Sequence, residues 1–98
     1  MVKHMIIWKL KEDISNPEEV ALSIKTSLEG LVGKIEGLVE MHILTKCFEG
    51  SAGDIMMDST FESKAALDFY IKHPLHQEAA NTFVRPNVEQ RLSFDYEI

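Results

Sequence analysis

Residues Val2 to Leu10 alternate with a period of two, and the alternation leaves apolar side chains on both sides of the strand it predicts. Val2, His4, Ile6, Trp8 and Leu10 fall on one face, and Lys3, Met5, Ile7 and Lys9 on the other. The first face calls for a layer of helices over it. Met5 and Ile7 make the second face unsuited to water as well, so the sheet that contains this strand needs cover on both sides. The chain has only 98 residues with which to provide that cover. A second independent core would leave each half too small to fold unaided, so residues 1–98 are read as one domain. A domain of this length buries about 60–65% of the surface of its extended chain, and a partner subunit would enlarge the small core.

The rest of the chain supplies the other layers. Ser15 and Asn16 offer an N-cap, Pro17 a first helical residue, and Glu18 and Glu19 acids at the positive end of a helix dipole. Val20, Ala21, Ile24, Leu28, Leu31, Val32 and Ile35 then follow at helical steps, which predicts a helix ending at Gly33 or Gly37. Alternation predicts a second strand over Leu38 to Phe48. A glycine-rich turn, Glu49 to Asp54, leads to a third strand over Ile55 to Phe61. Ser63 can cap a short helix through Ile71, and Pro74 breaks it. A second helical piece with Leu75, Ala79, Ala80 and Phe83 inward stops near Arg85 and Pro86, and Val88 to Ile98 forms the last strand. Strand, helix, strand, strand, bent helix, strand is the order of a ferredoxin-like α+β protomer: a four-stranded antiparallel sheet with its helices on one face. Pairing two such sheets into a dimeric α/β barrel covers the other face.

Charge and cysteine content narrow the function classes. Ten Lys and Arg against sixteen Asp and Glu give a net charge of −6, which repels phosphate backbones and anionic lipid, so neither nucleic acid nor a membrane is an expected partner. No apolar run approaches the roughly 18 residues of a membrane span. The single cysteine, Cys47, has no partner for an internal disulfide, which fits a reducing compartment, and the expected location is the cytoplasm.

Three stretches carry a resemblance: the opening Val2 to Lys11, the run Thr60-Phe61-Glu62-Ser63 with Tyr70-Ile71-Lys72-His73-Pro74-Leu75-His76, and the ending Arg91 to Tyr96. Together they resemble the stress-responsive dimeric α/β-barrel domain family, often called Dabb, over the whole chain. The tyrosine followed by His-Pro-x-His is the specific part. The resemblance implies the ferredoxin-like protomer and a homodimer, and it leaves the activity open. One plant branch that is similar around this motif is a polyketide cyclase, catalysing an aldol-type condensation with a tyrosine and a histidine. Carried over, these are Tyr70 and His76, with His4 lining the same pocket. A further pocket histidine of that branch falls where this chain has Ile55.

The residues themselves allow a chemical and a structural reading. His76 is the third residue of a helix opened by Pro74, where free N–H groups and the dipole keep an imidazole neutral and able to act as a base. The Tyr70 hydroxyl can hold a carbonyl or enolate oxygen. Alternatively, both side chains hydrogen-bond to backbone and pin the two helical pieces together. His4 on its apolar strand reads as a core histidine satisfied by one hydrogen bond, His73 as a cap or a proline-turn residue beside Pro74, and His42 as a residue facing outward or the dimer interface. Arg91 and Asp95 on the last strand read as an ion pair at the dimer interface, or else Arg91 holds a carboxylate in a cleft. No spacing fixes a set of metal ligands, so no metal and no cofactor are expected.

Three functions follow. The chain binds a small hydrophobic or carbonyl-containing molecule between sheet and helices, using His4, Ile6, Trp8, Met57 and Arg91. Alternatively it is a cofactor-free lyase or cyclase acting through Tyr70 and His76, or a structural stress-associated oligomer without an active site. An open cavity holding His4, Tyr70 and His76 favours the first two. A cleft filled by Trp8, Phe69 and Phe83 favours the third.

Overall fold

A computed structural model describes all residues from Met1 to Ile98. Strand β1 (Val2–Leu10) is followed by helix α1 (Pro17–Glu29), strands β2 (Leu38–Leu44) and β3 (Ile55–Phe61), helices α2 (Lys64–Lys72) and α3 (Pro74–Ala79), and strand β4 (Val88–Glu97). The strands form one antiparallel sheet in the order β2-β3-β1-β4, the ferredoxin-like arrangement. Helices cover one face. On it, β1 contributes Val2, His4, Ile6, Trp8 and Leu10, all buried, and Leu28, Ile24, Leu67 and Tyr70 pack down from α1 and α2.

Helix α1 starts at Pro17, but the Asn16 side chain bonds Glu19 instead of capping the backbone. The helix ends at Glu29, short of both glycines expected to stop it. From Leu31 onward the backbone amides bond three residues back rather than four, as Leu31 does to Leu28 and Lys34 to Leu31. Leu31 and Ile35 therefore reach the core from a run of tight turns, and Val32 points outward. Gly33 and Gly37 take positive φ within these turns. The last residue of α1 is tied to the sheet: Glu29 accepts hydrogen bonds from the Ile43 amide at 2.9 Å and from Lys25 at 2.8 Å. Desolvation opposes ionisation of Glu29, yet these two donors, with His42 and the Lys25 charge, hold its pKa below the usual value. The Ile43 amide needs such an acceptor because β2 is an edge strand.

Strand β2 also stops early, at Leu44, where its last partner on β3 is Met56. Beyond that point no strand lies alongside, and exposed Cys47 bonds the Gly53 and Asp54 carbonyls through its thiol. A register shift between Leu38 and Glu40 lets Leu38, Met41 and Ile43 share the covered face. Strand β3 and the start of α2 match the sequence reading, with the Ala66 amide donating to Ser63 Oγ at 3.1 Å. Leu75, expected inward, is 38% exposed at the first turn of α3, while Ala79 and Ala80 are buried.

The face away from the helices carries Met5 and Ile7 beside Phe94 and Leu92 of β4 and Asp58 and Met56 of β3. Phe94 is 68% exposed. No helix of the chain reaches this side.

Candidate functional site

Strand register builds the floor of a cavity. His4 stands opposite Ser59 and Asp95, Ile6 opposite Met57 and Ser93, and Trp8 opposite Ile55 and Arg91. Period-two alternation turns all of these toward the helices. Between them and the helical layer lies a cavity of about 230 Å3. His4, Ile6 and Trp8 of β1, Met57 of β3 and Arg91 of β4 line it from below, and Tyr70 and His76 from above. These are the seven residues singled out from the sequence, and the fold brings them together around one space.

Pro74 shapes the roof. It ends α2 at Lys72, and His73 takes the cap position, its Nδ1 accepting from the Leu75 amide at 3.1 Å. With the helix broken, the Ile71 carbonyl has no helical partner. His76 Nδ1 lies 3.0 Å from that carbonyl oxygen, and Gln77 donates to it at 2.6 Å. A carbonyl only accepts, so His76 Nδ1 carries the hydrogen and Nε2 of the neutral ring has the free lone pair. Burial, helped by the charges of Arg85 and Arg91, lowers the His76 pKa against the opposing hydrogen bond to Ile71. The ring is therefore a neutral base at pH 7.

Tyr70 is 1% exposed and its ring packs between Phe61 and His76, at centroid distances of 4.9 and 4.3 Å. Its hydroxyl is buried and has no hydrogen-bond partner. Desolvation raises its pKa far above the usual tyrosine value, so the group is a donor and not a phenolate. The expected pinning by backbone hydrogen bonds thus holds for His76 and fails for Tyr70.

His4 is 4% exposed and bonds Asp95 through Nδ1. That carboxylate fixes the proton on Nδ1 and leaves Nε2 as the ring's other polar atom. The ion pair expected between Arg91 and Asp95 does not form within the chain. Four residues along a strand separate them by about 13 Å, and Asp95 is engaged by His4. The pairing of His4 with Asp95 escaped the sequence reading because it depends on the register of β1 against β4. The cavity's remaining walls also lay beyond it: Leu28 of α1, Ile71 of α2, and Ala80, Val84 and Arg85 where the chain leaves α3. There the helix widens into a π turn over Ala80–Val84, with the Arg85 amide bonded to the Ala80 carbonyl, before a 3-10 turn through Pro86. Pro86 was the local signal for that irregularity. Phe69 is 52% exposed and Phe83 packs against the core outside the lining, so the cavity is not filled in the way the structural reading required. Ile55 is buried opposite Trp8 and does not line the cavity. No group of three or more His, Cys, Asp and Glu side chains is arranged to hold a metal ion.

Residues 2–98 match the family described as the stress responsive A/B barrel domain, Dabb. The chain belongs to the Dabb family. This Dabb chain is 33% identical over 100 residues to the stress-response A/B barrel domain-containing protein HS1 of Arabidopsis thaliana, covering 97% of this chain and 87% of that one. A dimeric protein of unknown function and ferredoxin-like fold from Bacteroides fragilis superposes with a TM-score of 0.90 at 28% identity, covering 99% and 95% of the two chains. The solution structure of an Arabidopsis thaliana protein is similar at 32% identity and a TM-score of 0.75, covering 99% and 87%. No helix of the Dabb chain is long and apolar enough to cross a membrane.

Proposed function

We propose that this Dabb chain works as a homodimer, one domain per subunit, in the cytoplasm, and that each subunit binds a small hydrophobic or carbonyl-containing molecule between its sheet and helices. The Tyr70 hydroxyl carries the reading: a buried donor without a partner costs about 1–3 kcal/mol, and it borders an enclosed, mainly apolar space. A carbonyl oxygen in that space would satisfy it. The dimeric description of relatives such as the Bacteroides fragilis protein supports the pairing.

A second reading is favoured by the tautomer of His76. With the Tyr70 hydroxyl donating to a substrate carbonyl, His76 Nε2 removes a proton from the adjacent carbon. The resulting enolate carbon attacks a second carbonyl of the same molecule, and the proton returns from Nε2 to the new alkoxide. This is a cofactor-free aldol-type cyclisation.

Tyr70→Phe and His76→Ala test both. Acetophenone serves as a binding probe followed by amide chemical shifts, and β-polyketones serve as substrates. Tyr70→Phe is expected to keep or gain about 1 kcal/mol of stability and to weaken acetophenone binding about tenfold. Failure of the wild type to bind carbonyl compounds would overturn the binding reading. Turnover that is absent, or unchanged in either variant, would overturn the cyclase.

A further inference from the structure

We infer that the molecule bound in this cavity carries a carboxylate, held at the cavity mouth by Arg91 with Arg85 beside it; the inference rests on the cavity being a ligand site. The chain has more acids than bases, sixteen against ten. Yet the charged side chains lining the cavity are Arg85 and Arg91, with His4, His76 and Tyr70 as its other titratable groups and no Asp or Glu among them. Arg91 makes no ion pair or side-chain hydrogen bond with any residue of the chain. Arg85 donates only to the neutral amide oxygens of Asn81 and Gln77. Asp95, four residues along β4 from Arg91, is engaged by His4. Glu89 borders the shallow groove outside the mouth and forms no ion pair with either arginine. Two guanidinium groups without ion-pair partners, both lining a space that also holds an unpaired buried donor, suit an anionic ligand. A planar fork matches a carboxylate in two-point geometry.

The dimensions set the rest of the molecule. At about 230 Å3 the cavity lies below the usual range for drug-sized ligands, about 300–1,000 Å3, so one ring or a short chain fills it. Ile6, Trp8, Met57 and Val84 offer that body an apolar wall. The ligand class is a small monocarboxylate with an apolar body, its acid at Arg91 and an oxygen acceptor at its far end facing the Tyr70 hydroxyl.

Binding of benzoate, benzamide and acetophenone to the full-length protein, followed by amide chemical shifts at low and at moderate salt, tests this. Benzoate is expected to bind at least about tenfold more tightly than benzamide, a margin that salt narrows. Arg91→Gln should erase the margin between benzoate and benzamide, and Arg91→Lys should recover part of it. Equal affinity for benzoate and the two neutral probes overturns the carboxylate inference and leaves the cavity as a carbonyl site. A benzoate preference that survives both Arg91→Gln and Arg85→Gln overturns it as well. Binding of none of the three overturns the ligand site and the inference together. Arg91 and Arg85 are exposed, so the variants should fold, and an unchanged circular dichroism spectrum would show it.

Discussion

One imidazole illustrates how a single residue acquires a chemical state from its surroundings. His76 has its Nδ1 hydrogen committed to the Ile71 carbonyl, which removes the choice of tautomer. Burial, with the charges of Arg85 and Arg91 nearby, then lowers its pKa below 6.5, despite that hydrogen bond. In the unfolded chain the ring accepts a proton at higher pH than in the folded one. Between the two pKa values the unfolded state binds more protons, so stability rises with pH there. His76 therefore contributes fully above about pH 6.5 and loses that contribution as pH falls toward its folded value. Nitrogen NMR of the imidazole should show an Nδ1–H tautomer at pH 7 that titrates below 6.5. Thermal stability should fall less between pH 7 and pH 5.5 in His76→Gln than in the wild type. A His76 that titrates above 6.5, or that is protonated on Nε2 alone when neutral, contradicts the assignment.

Among the elements, the most exacting junction is the one joining the start of β2 to α2. Gly37 has φ 89°, and a Cβ there would come within 2.5 Å of the Ala66 side chain. Its carbonyl also accepts from the Glu62 amide at 2.9 Å. Gly33 has φ 88° but open space around it. Gly37→Ala is therefore expected to cost about 2–3 kcal/mol, through backbone strain and overpacking, and Gly33→Ala only about 1 kcal/mol, through strain. Denaturant unfolding of the two variants separates the effects, and equal losses would show that the contact with Ala66 is immaterial. Both glycines were visible in the sequence as stops, but not as the turns they make. The difference shows what a sequence pattern can carry. The period of Val2 to Leu10, the cap at Ser63 and the break at Pro74 are local physics, and each was readable. The ends of α1 and β2 depend on tertiary partners: Glu29 reaches the Ile43 amide, and β3 offers β2 no partner past Met56. The same holds within the cavity. His4, Tyr70 and His76 stood out by residue type, whereas Asp95 opposite His4 and Arg85 at the mouth depend on register and on a widened helical turn.

At the scale of the whole molecule, the sheet separates two roles. Its helix-covered face encloses the cavity. Its other face carries half-buried Ile7 and Met56 and exposed Leu92 and Phe94, with the ion pair of Lys3 and Asp58 at 2.5 Å beside them. An apolar sheet face left to water promotes association, and a second copy offers a matching surface under two-fold symmetry. The wild-type chain should therefore sediment as a dimer at micromolar concentration. Phe94→Asp places a carboxylate at the centre of the proposed seam, where burying it without a counter-charge would cost several kcal/mol, and should sediment as a monomer. Leu22→Asp changes an equally exposed apolar residue on α1, at the helical surface, and should remain dimeric. Because Phe94 and the cavity lie on opposite faces of β4, the monomeric variant should retain the His4 to Asp95 hydrogen bond by imidazole NMR if it stays folded. A wild type that is monomeric, or a dimer dissociated by Leu22→Asp and not by Phe94→Asp, would place the interface elsewhere.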